Sequence, residues 1–283
     1  VVKLRLTSDA LNLDLSSVES RIKRFIRDYV KKSGANGVVL GVSGGVDSST
    51  TAAIAALALG GHAVLGIALP EEETYSVADV QHAKLVARKF GFELETVDIS
   101  PILTSYFHSL PVYDVADKLS KGNLKARTRM VCLYYYANRL SKLVCGSSDK
   151  SETMIGYFTK WGDAAADIAP VMDLYKTQVR QLAVHIGVPK GIATKPSTPA
   201  LWPGHLAEEE LGIKYETLDL ILFGLEHFMT TEDIAKQMNL PVEFVDEIKK
   251  RWLATEHKRR PPLTAKLGYR TVGSDFRLPY TSR

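Results

Sequence analysis

Cysteine is nearly missing from this chain: two among 283 residues, Cys132 and Cys145. Two thiols are too few for a disulfide framework or a cysteine-rich metal site. One lies in a helical pattern and the other ends an apolar run, which suits reduced core thiols. No apolar stretch is long and unbroken enough to span a bilayer, and residues 1–9 contain no secretory hydrophobic region. Internal repeats and low-complexity tracts are lacking too. The net charge of +4 is too small to demand a nucleic-acid partner, although basic residues cluster at 121–129 and 257–260. What is left is a cytoplasmic globular chain, 45% hydrophobic and 24% charged, with enough residues for a large core.

The strongest positive signal is an apolar run over 38–42 that meets Ser43-Gly44-Gly45-Val46-Asp47-Ser48 and then an alanine-rich helix over 51–59. A buried strand turning into a helix puts unpaired N–H groups and the positive end of the macrodipole at the joining loop, where an anion fits. Gly44 and Gly45 let the backbone approach phosphate oxygens, Ser43 and Ser48 add hydroxyl donors, and Asp47 can hold a divalent cation against the phosphate. A helix cap needs one such residue, not five. The loop has neither the Gly-Lys-Ser/Thr ending of a Walker loop nor a Gly-x-Gly-x-x-Gly pattern.

Around this loop, apolar periodicity predicts an amphipathic helix over 16–32 and strands over 63–69, 93–99 and 142–145. Helices are expected at 76–90, within 122–140 and at 176–186. Strands separated by helices imply a doubly wound parallel α/β sheet with helices on both faces. The loops 43–48 and 146–152 would then emerge together at the carboxyl ends of their strands, near a topological switch point. Four prolines between 187 and 212 predict a long functional loop. Two short helices, starting near 231 and 241, make a small C-terminal helical appendage; as a pair they also suit a helix-turn-helix, though packing is the commoner role of such pairs.

Two further motifs stand out. Residues 122–130 place Lys125, Arg127 and Arg129 at an expected helix start, where cations oppose the macrodipole unless an anion is bound. Residues 146–152 set Ser147, Ser148, Asp149 and Glu152 after a strand, suited to ribose, phosphate and Mg²⁺ contacts or to a plain helix cap.

The Ser-Gly-Gly-x-Asp-Ser loop resembles the pyrophosphate loop of the PP-loop ATPases. The later motifs, from Gly122-Asn123 through Gly156-Tyr157-Phe158-Thr159-Lys160 to His257-Lys258-Arg259, resemble the NAD synthetase branch over nearly the whole chain. The resemblance implies a Rossmann-like, PP-loop fold in a single domain over 1–283, its core at about 15–225 and its helical segment and tail at about 226–283. It also implies ATP-dependent amidation of deamido-NAD by ammonia through an adenylate, releasing AMP and pyrophosphate, with Mg²⁺ as cofactor and a homodimer as the working form. By similarity, Gly41, Val42, Ser43, Gly44, Gly45, Val46, Asp47, Ser48, Ser147, Lys176 and Thr198 bind ATP, while Asp47 and Glu152 hold Mg²⁺. Arg127, Lys160, Asp167, His257 and Lys258 match deamido-NAD contacts, and Asp163 matches the acid that receives ammonia. Asp47, Glu152, Asp163 and Lys176 form the expected catalytic set.

Some positions depart from the family pattern: Ser148-Asp149, Ala164-Ala165-Ala166, and Ser197-Thr198-Pro199-Ala200, where the hydroxyl that faces ATP stays open. The tail from Leu263 matches nothing. Only about a dozen residues precede the first expected helix, so free ammonia is the expected nitrogen donor in place of a fused glutaminase, unless a separate glutaminase chain delivers it. The aromatic run Tyr134-Tyr135-Tyr136 suits either an isologous interface or core packing. Other adenylating PP-loop ligases, tRNA modifiers and non-catalytic adenine-nucleotide modules are the competing readings.

Overall fold

The computed structural model describes residues 4–272 together with Asp275 and Phe276; the readings of residues 1–3 and of the last part of the tail fall outside the described residues. Its centre is a parallel sheet of β1 (Val38–Gly41), β2 (Val64–Ala68), β3 (Glu93–Thr96) and β4 (Leu143–Val144), in the order β3-β2-β1-β4. The chain winds outward from β1 to β3, then crosses back to lay β4 on the other side of β1. The switch point therefore lies between β1 and β4, where the loops after these two strands leave the sheet side by side.

Side chains alternate across the strands and build a core on each face. Val38, Leu40 and Val64 pack with α1 (Leu15–Ser33), α2 (Val46–Leu59) and α3 (Val77–Phe90). Val39, Leu65 and Ile67 face the opposite way, toward α4 (Ser100–Ser109) and α5 (Lys118–Leu140). Next come α6 (Lys150–Ile155), α7 (Lys176–His185), α8 (Lys190–Ala193) and α9 (Ala207–Leu211). The chain then forms α10 (Tyr215–Glu226), α11 (Thr231–Met238), α12 (Val242–Ala254) and α13 (Glu256–Arg259). A third core joins Leu6 and Leu11 to residues of α6 and of α9 through α12.

Two helix starts differ from the sequence expectation. Helix α2 begins at Val46, five residues before the expected start, and Asp47 stands in its first turn. Ser49, Thr50 and Thr51 are fully buried, and the Thr50 hydroxyl donates to Val46 O at 2.6 Å, so packing overrides the loop preference of these residues. Helix α5 begins at Lys118, where the Asp117 side chain accepts from Ser120 N at 2.9 Å. The three cations at 125–129 therefore sit beyond the first turn, and the macrodipole argument made for them fails. Lys125 instead turns inward to Glu71 at 2.7 Å, Glu73 at 2.6 Å and Leu201 O at 3.0 Å, tying two loops to the helix. The stretch 187–212 holds α8 and α9, with irregular chain between them.

Candidate active site

The loop after β1 is wired through its hydroxyls. Ser48 Oγ accepts from Ser43 N at 3.1 Å, lies 3.0 Å from Ser43 Oγ and donates to Gly45 O at 3.3 Å, while Gly45 N donates to Ser43 Oγ at 3.3 Å. No side chain caps α2 at Gly45, so its first-turn N–H groups are presented to the cavity. Gly44 has φ +81°, and a Cβ there would lie 2.3 Å from Asp79 O. Gly44→Ala must displace that carbonyl or the loop, and ATP affinity is expected to fall by about 10- to 100-fold, measured by calorimetric titration. Unchanged affinity would show that the loop is not a phosphate cradle.

Asp47 meets the second element of the site directly beneath the loop. Lys176 Nζ, wholly buried, lies 2.7 Å from Asp47 Oδ2, 2.6 Å from Asp149 Oδ2 and 2.8 Å from Glu152 Oε1. Asp149 caps α6 by accepting from Glu152 N at 2.8 Å, and the i, i+3 spacing puts both acids on one side of the turn. Lys176 is fixed from behind, where its backbone N–H donates to Ser151 Oγ at 2.9 Å and that hydroxyl donates to Asp219 at 2.5 Å. Burial pushes the Asp219 carboxyl up to about 6, against the hydrogen bonds from Ser151 and Thr177.

The charges in this cluster do not balance. Three carboxylates face one ammonium, an excess of two negative charges when all ionise. Burial, then the neighbouring Glu152, raises Asp149 well above the usual carboxylate range, and burial likewise raises Glu152. Burial works against the charge on Lys176, but Asp149, Asp47 and Glu152 together outweigh it and hold the ammonium well above its ordinary value. Asp47 Oδ1 is buried with no hydrogen-bond partner, and one oxygen from each acid can be chosen so that all lie within 4.8 Å of one another. An orphaned carboxylate oxygen in an electronegative, oxygen-only cluster suits a hard divalent cation.

A cavity of about 570 Å³ opens over this cluster, bounded by the ends of β1 and β4, α5 and the 195–207 segment. Gly41, Val42, Ser43, Gly45, Asp47 and Ser48 line it, as do Ser147, Glu152, Asp163, Thr198 and Lys258. Val46 lines a smaller cavity of about 110 Å³ over the acids. Lys176 lies below the floor. Asp163 is exposed to this open space, and loss of hydration against the cavity wall raises its carboxyl; Thr159 N donates to it at 2.8 Å and nearby Lys258 favours its charge. Thr198 donates its hydroxyl to His205 O and accepts from Ala200 N, whereas Ser197 Oγ is buried without a partner. Both residues stand on the wall, and the unengaged hydroxyl is that of Ser197.

Four expected dinucleotide contacts lie off the cavity wall. Arg127 donates to Lys160 O at 3.2 Å and Lys160 to His257 O at 2.6 Å, a connected strip at the surface. Asp167 sits at the end of β4, accepting from Val144 N at 2.8 Å. Sequence reasoning named Asp149 in the 146–152 motif but did not count it with Asp47 and Glu152 among the metal acids, although its spacing from Glu152 was visible. Arg129, one of the cations of the 122–130 motif, is half-buried in the wall with Nε donating to Leu69 O at 3.0 Å. Sequence reasoning missed Tyr215, whose hydroxyl donates to Glu152 at 3.0 Å. Nothing local in the sequence marks Tyr215.

Over residues 18–262 the chain matches the family described as NAD synthase. It is 48% identical over 261 residues to the NH(3)-dependent NAD(+) synthetase of Hyperthermus butylicus, across 92% of this chain and 94% of that one. The protein of the same description from Methanocaldococcus jannaschii is 46% identical over 255 residues, across 89% and 98%. Among solved structures, the NMN synthetase from Francisella tularensis superposes with a TM-score of 0.79 at 29% identity, covering 90% of this chain and 100% of that one. The NH3-dependent NAD synthetase from Campylobacter jejuni gives 0.75 at 27% identity with the same coverage. By sequence and by fold, the chain belongs to the NAD synthase family.

Proposed function

We propose that the chain catalyses the ATP-dependent amidation of deamido-NAD by ammonia, forming NAD, AMP and pyrophosphate. The observation that carries this reading is that one cavity gathers the Ser43 to Ser48 cradle, the acids Asp47 and Glu152, and Asp163 on a separate wall. A phosphate site, a cation site and a proton acceptor are what two-step amidation requires.

A carboxylate is a poor acyl donor, so it is first activated. The nicotinate oxygen of deamido-NAD attacks the α-phosphorus of ATP; a P–O bond forms, the bond to the β-phosphate breaks, and pyrophosphate leaves. Ammonia then attacks the acyl carbon, the C–O bond to AMP breaks, and the nitrogen loses a proton as the amide forms. Backbone N–H groups of the cradle and the α2 terminus hold the phosphates, so catalysis is chiefly positioning and charge stabilisation. Asp47, Asp149 and Glu152 would hold Mg²⁺, which when bound offsets the charge of the polyphosphate. Lys176 keeps the three acids together and supplies a cation beneath the phosphates. Arg127, Lys160, His257 and Lys258 would receive deamido-NAD from the surface strip inward, with Asp167 at the end of β4 as a further contact.

Asp163 would bind ammonium and take its proton. Loss of hydration against the cavity wall raises this carboxyl, so the group gains its charge, and with it the capacity to accept a proton, at a pH above the ordinary aspartate value. At constant free ammonia, NAD formation is expected to fall on acidification with a midpoint above that range, and Asp163→Asn should remove this limb along with most of the activity. A wild-type profile identical to that of the variant would refute the role.

Val131 and Tyr135, 54% and 70% exposed and one turn apart on α5, support a homodimer built on that face. Free thiols at Cys132 and Cys145 suit a reducing cytoplasm, and no helix among the described residues is long and apolar enough to cross a membrane. The function is tested by incubating the chain with ATP, Mg²⁺, deamido-NAD and ammonium. NAD with stoichiometric AMP and pyrophosphate supports it; ADP, or no NAD, overturns it.

A further inference from the structure

Helix α6 carries Asp149 at its cap and Glu152 in its first turn, and its far end is held by cations of the C-terminal helices. Arg259 Nη1 donates to Thr153 O at 3.0 Å and to Met154 O at 2.7 Å. Arg251 Nε reaches Ile155 O at 3.4 Å, and Lys258 Nζ donates to Gly156 O at 2.5 Å. Arg259 Nη2 donates to Trp252 O at 2.5 Å and Nε to the Glu256 carboxylate at 3.0 Å, while Nη1 also reaches Thr255 Oγ1 at 3.0 Å. Gly156, at φ +66°, rests on Thr255 so closely that a Cβ there would lie 2.3 Å from Thr255 Cβ.

A six-residue helix has too few internal hydrogen bonds to fix its own orientation; its end is closed by Gly156 N, which donates to Thr153 O at 3.3 Å, and by Tyr157 N, which donates to Glu152 O at 2.8 Å. The carbonyls of Thr153, Met154, Ile155 and Gly156 also accept from side chains of α12 and α13, with positive charge at the negative end of the helix. We propose that Arg259 is a positioning residue for the site: it fixes α6 from the α12 to α13 junction so that Asp149 and Glu152 face Asp47 and Lys176. The inference rests on reading those acids as a cation site. Lys258 links the two regions, since the ammonium that donates to Gly156 O also lines the main cavity.

Mn²⁺ alone is the probe, with its binding to the full chain followed by electron paramagnetic resonance. In Arg259→Gln the dissociation constant for Mn²⁺ is expected to rise about tenfold, the range seen when groups that orient metal ligands are removed. Arg259→Lys keeps the charge but not the fork, so it should show a smaller rise, about threefold, and is read in place of R259Q if the latter does not fold. A structural role alone would lower the melting temperature and leave Mn²⁺ affinity of the folded protein unchanged. That result, or a wild-type chain that binds no Mn²⁺, overturns the proposal. A wild-type chain that makes no NAD while the Mn²⁺ shift persists would overturn the amidation reading and leave the positioning role standing.

Discussion

Asp47→Asn is expected to abolish NAD formation, lowering kcat/KM by about a thousandfold or more, while circular dichroism and the melting temperature change little. The substitution is nearly isosteric but replaces a carboxylate that serves two partners. Its Oδ2 accepts from Lys176 at 2.7 Å, and its Oδ1, buried and unpartnered, is an oxygen the structure leaves for a cation. An amide can present one oxygen only, so either the lysine or the cation then meets an N–H donor. The assay is NAD formation across a wide Mg²⁺ range. Normal turnover at ordinary Mg²⁺ would sink the assignment of Asp47 to the cation.

Lys176→Met is expected to be costly in both stability and activity. Among the described residues the lysine is the only cation paired with Asp149, which is completely buried. Removing one partner of a buried ionic cluster leaves uncompensated charge, typically about 3–5 kcal/mol of destabilisation. Denaturant unfolding in the presence of a chelator is the measurement. Mg²⁺ should restore part of the loss, because a divalent cation bound by the same three acids replaces the missing charge and stabilises the folded state by mass action. A loss independent of Mg²⁺ would mean that the acids do not bind it. NAD formation should stay undetectable in either condition, since Mg²⁺ restores charge but not the ammonium beneath the phosphates.

Much of the fold was legible because strong local signals agreed with one another. The apolar runs at 38–42 and 63–69 and the Gly-rich loop between strand and helix read correctly, as did the helices at 231 and 241. Helix α10 was not read: its sequence, Tyr-Glu-Thr-Leu-Asp-Leu-Ile-Leu-Phe-Gly-Leu-Glu, is apolar on nearly every side, so no polar face reveals a period. On the first helix Phe25 belongs to the apolar periodicity yet is 44% exposed, whereas Ile26 and Val30 are buried. Periodicity defines a stripe but not where its edge meets solvent.

For the site, the sequence by itself determined the strand-to-helix loop proposed to hold phosphate, because a strand, two glycines, two hydroxyls and an acid lie within one short stretch and need only the local turn. The family follows from the same motifs in order. The tertiary structure alone decided what Lys176 does, since its partners come from two other segments, α2 and α6, and only the crossing of β1, β4 and α7 brings them within 2.8 Å. It alone made Asp149 a third acid of the cluster, reversed the reading of Lys125 from an anion-binding cation to a buried strut, and joined Arg259 to the far end of α6. Those facts depend on which distant charges meet where water is excluded, and no local pattern in a chain records that.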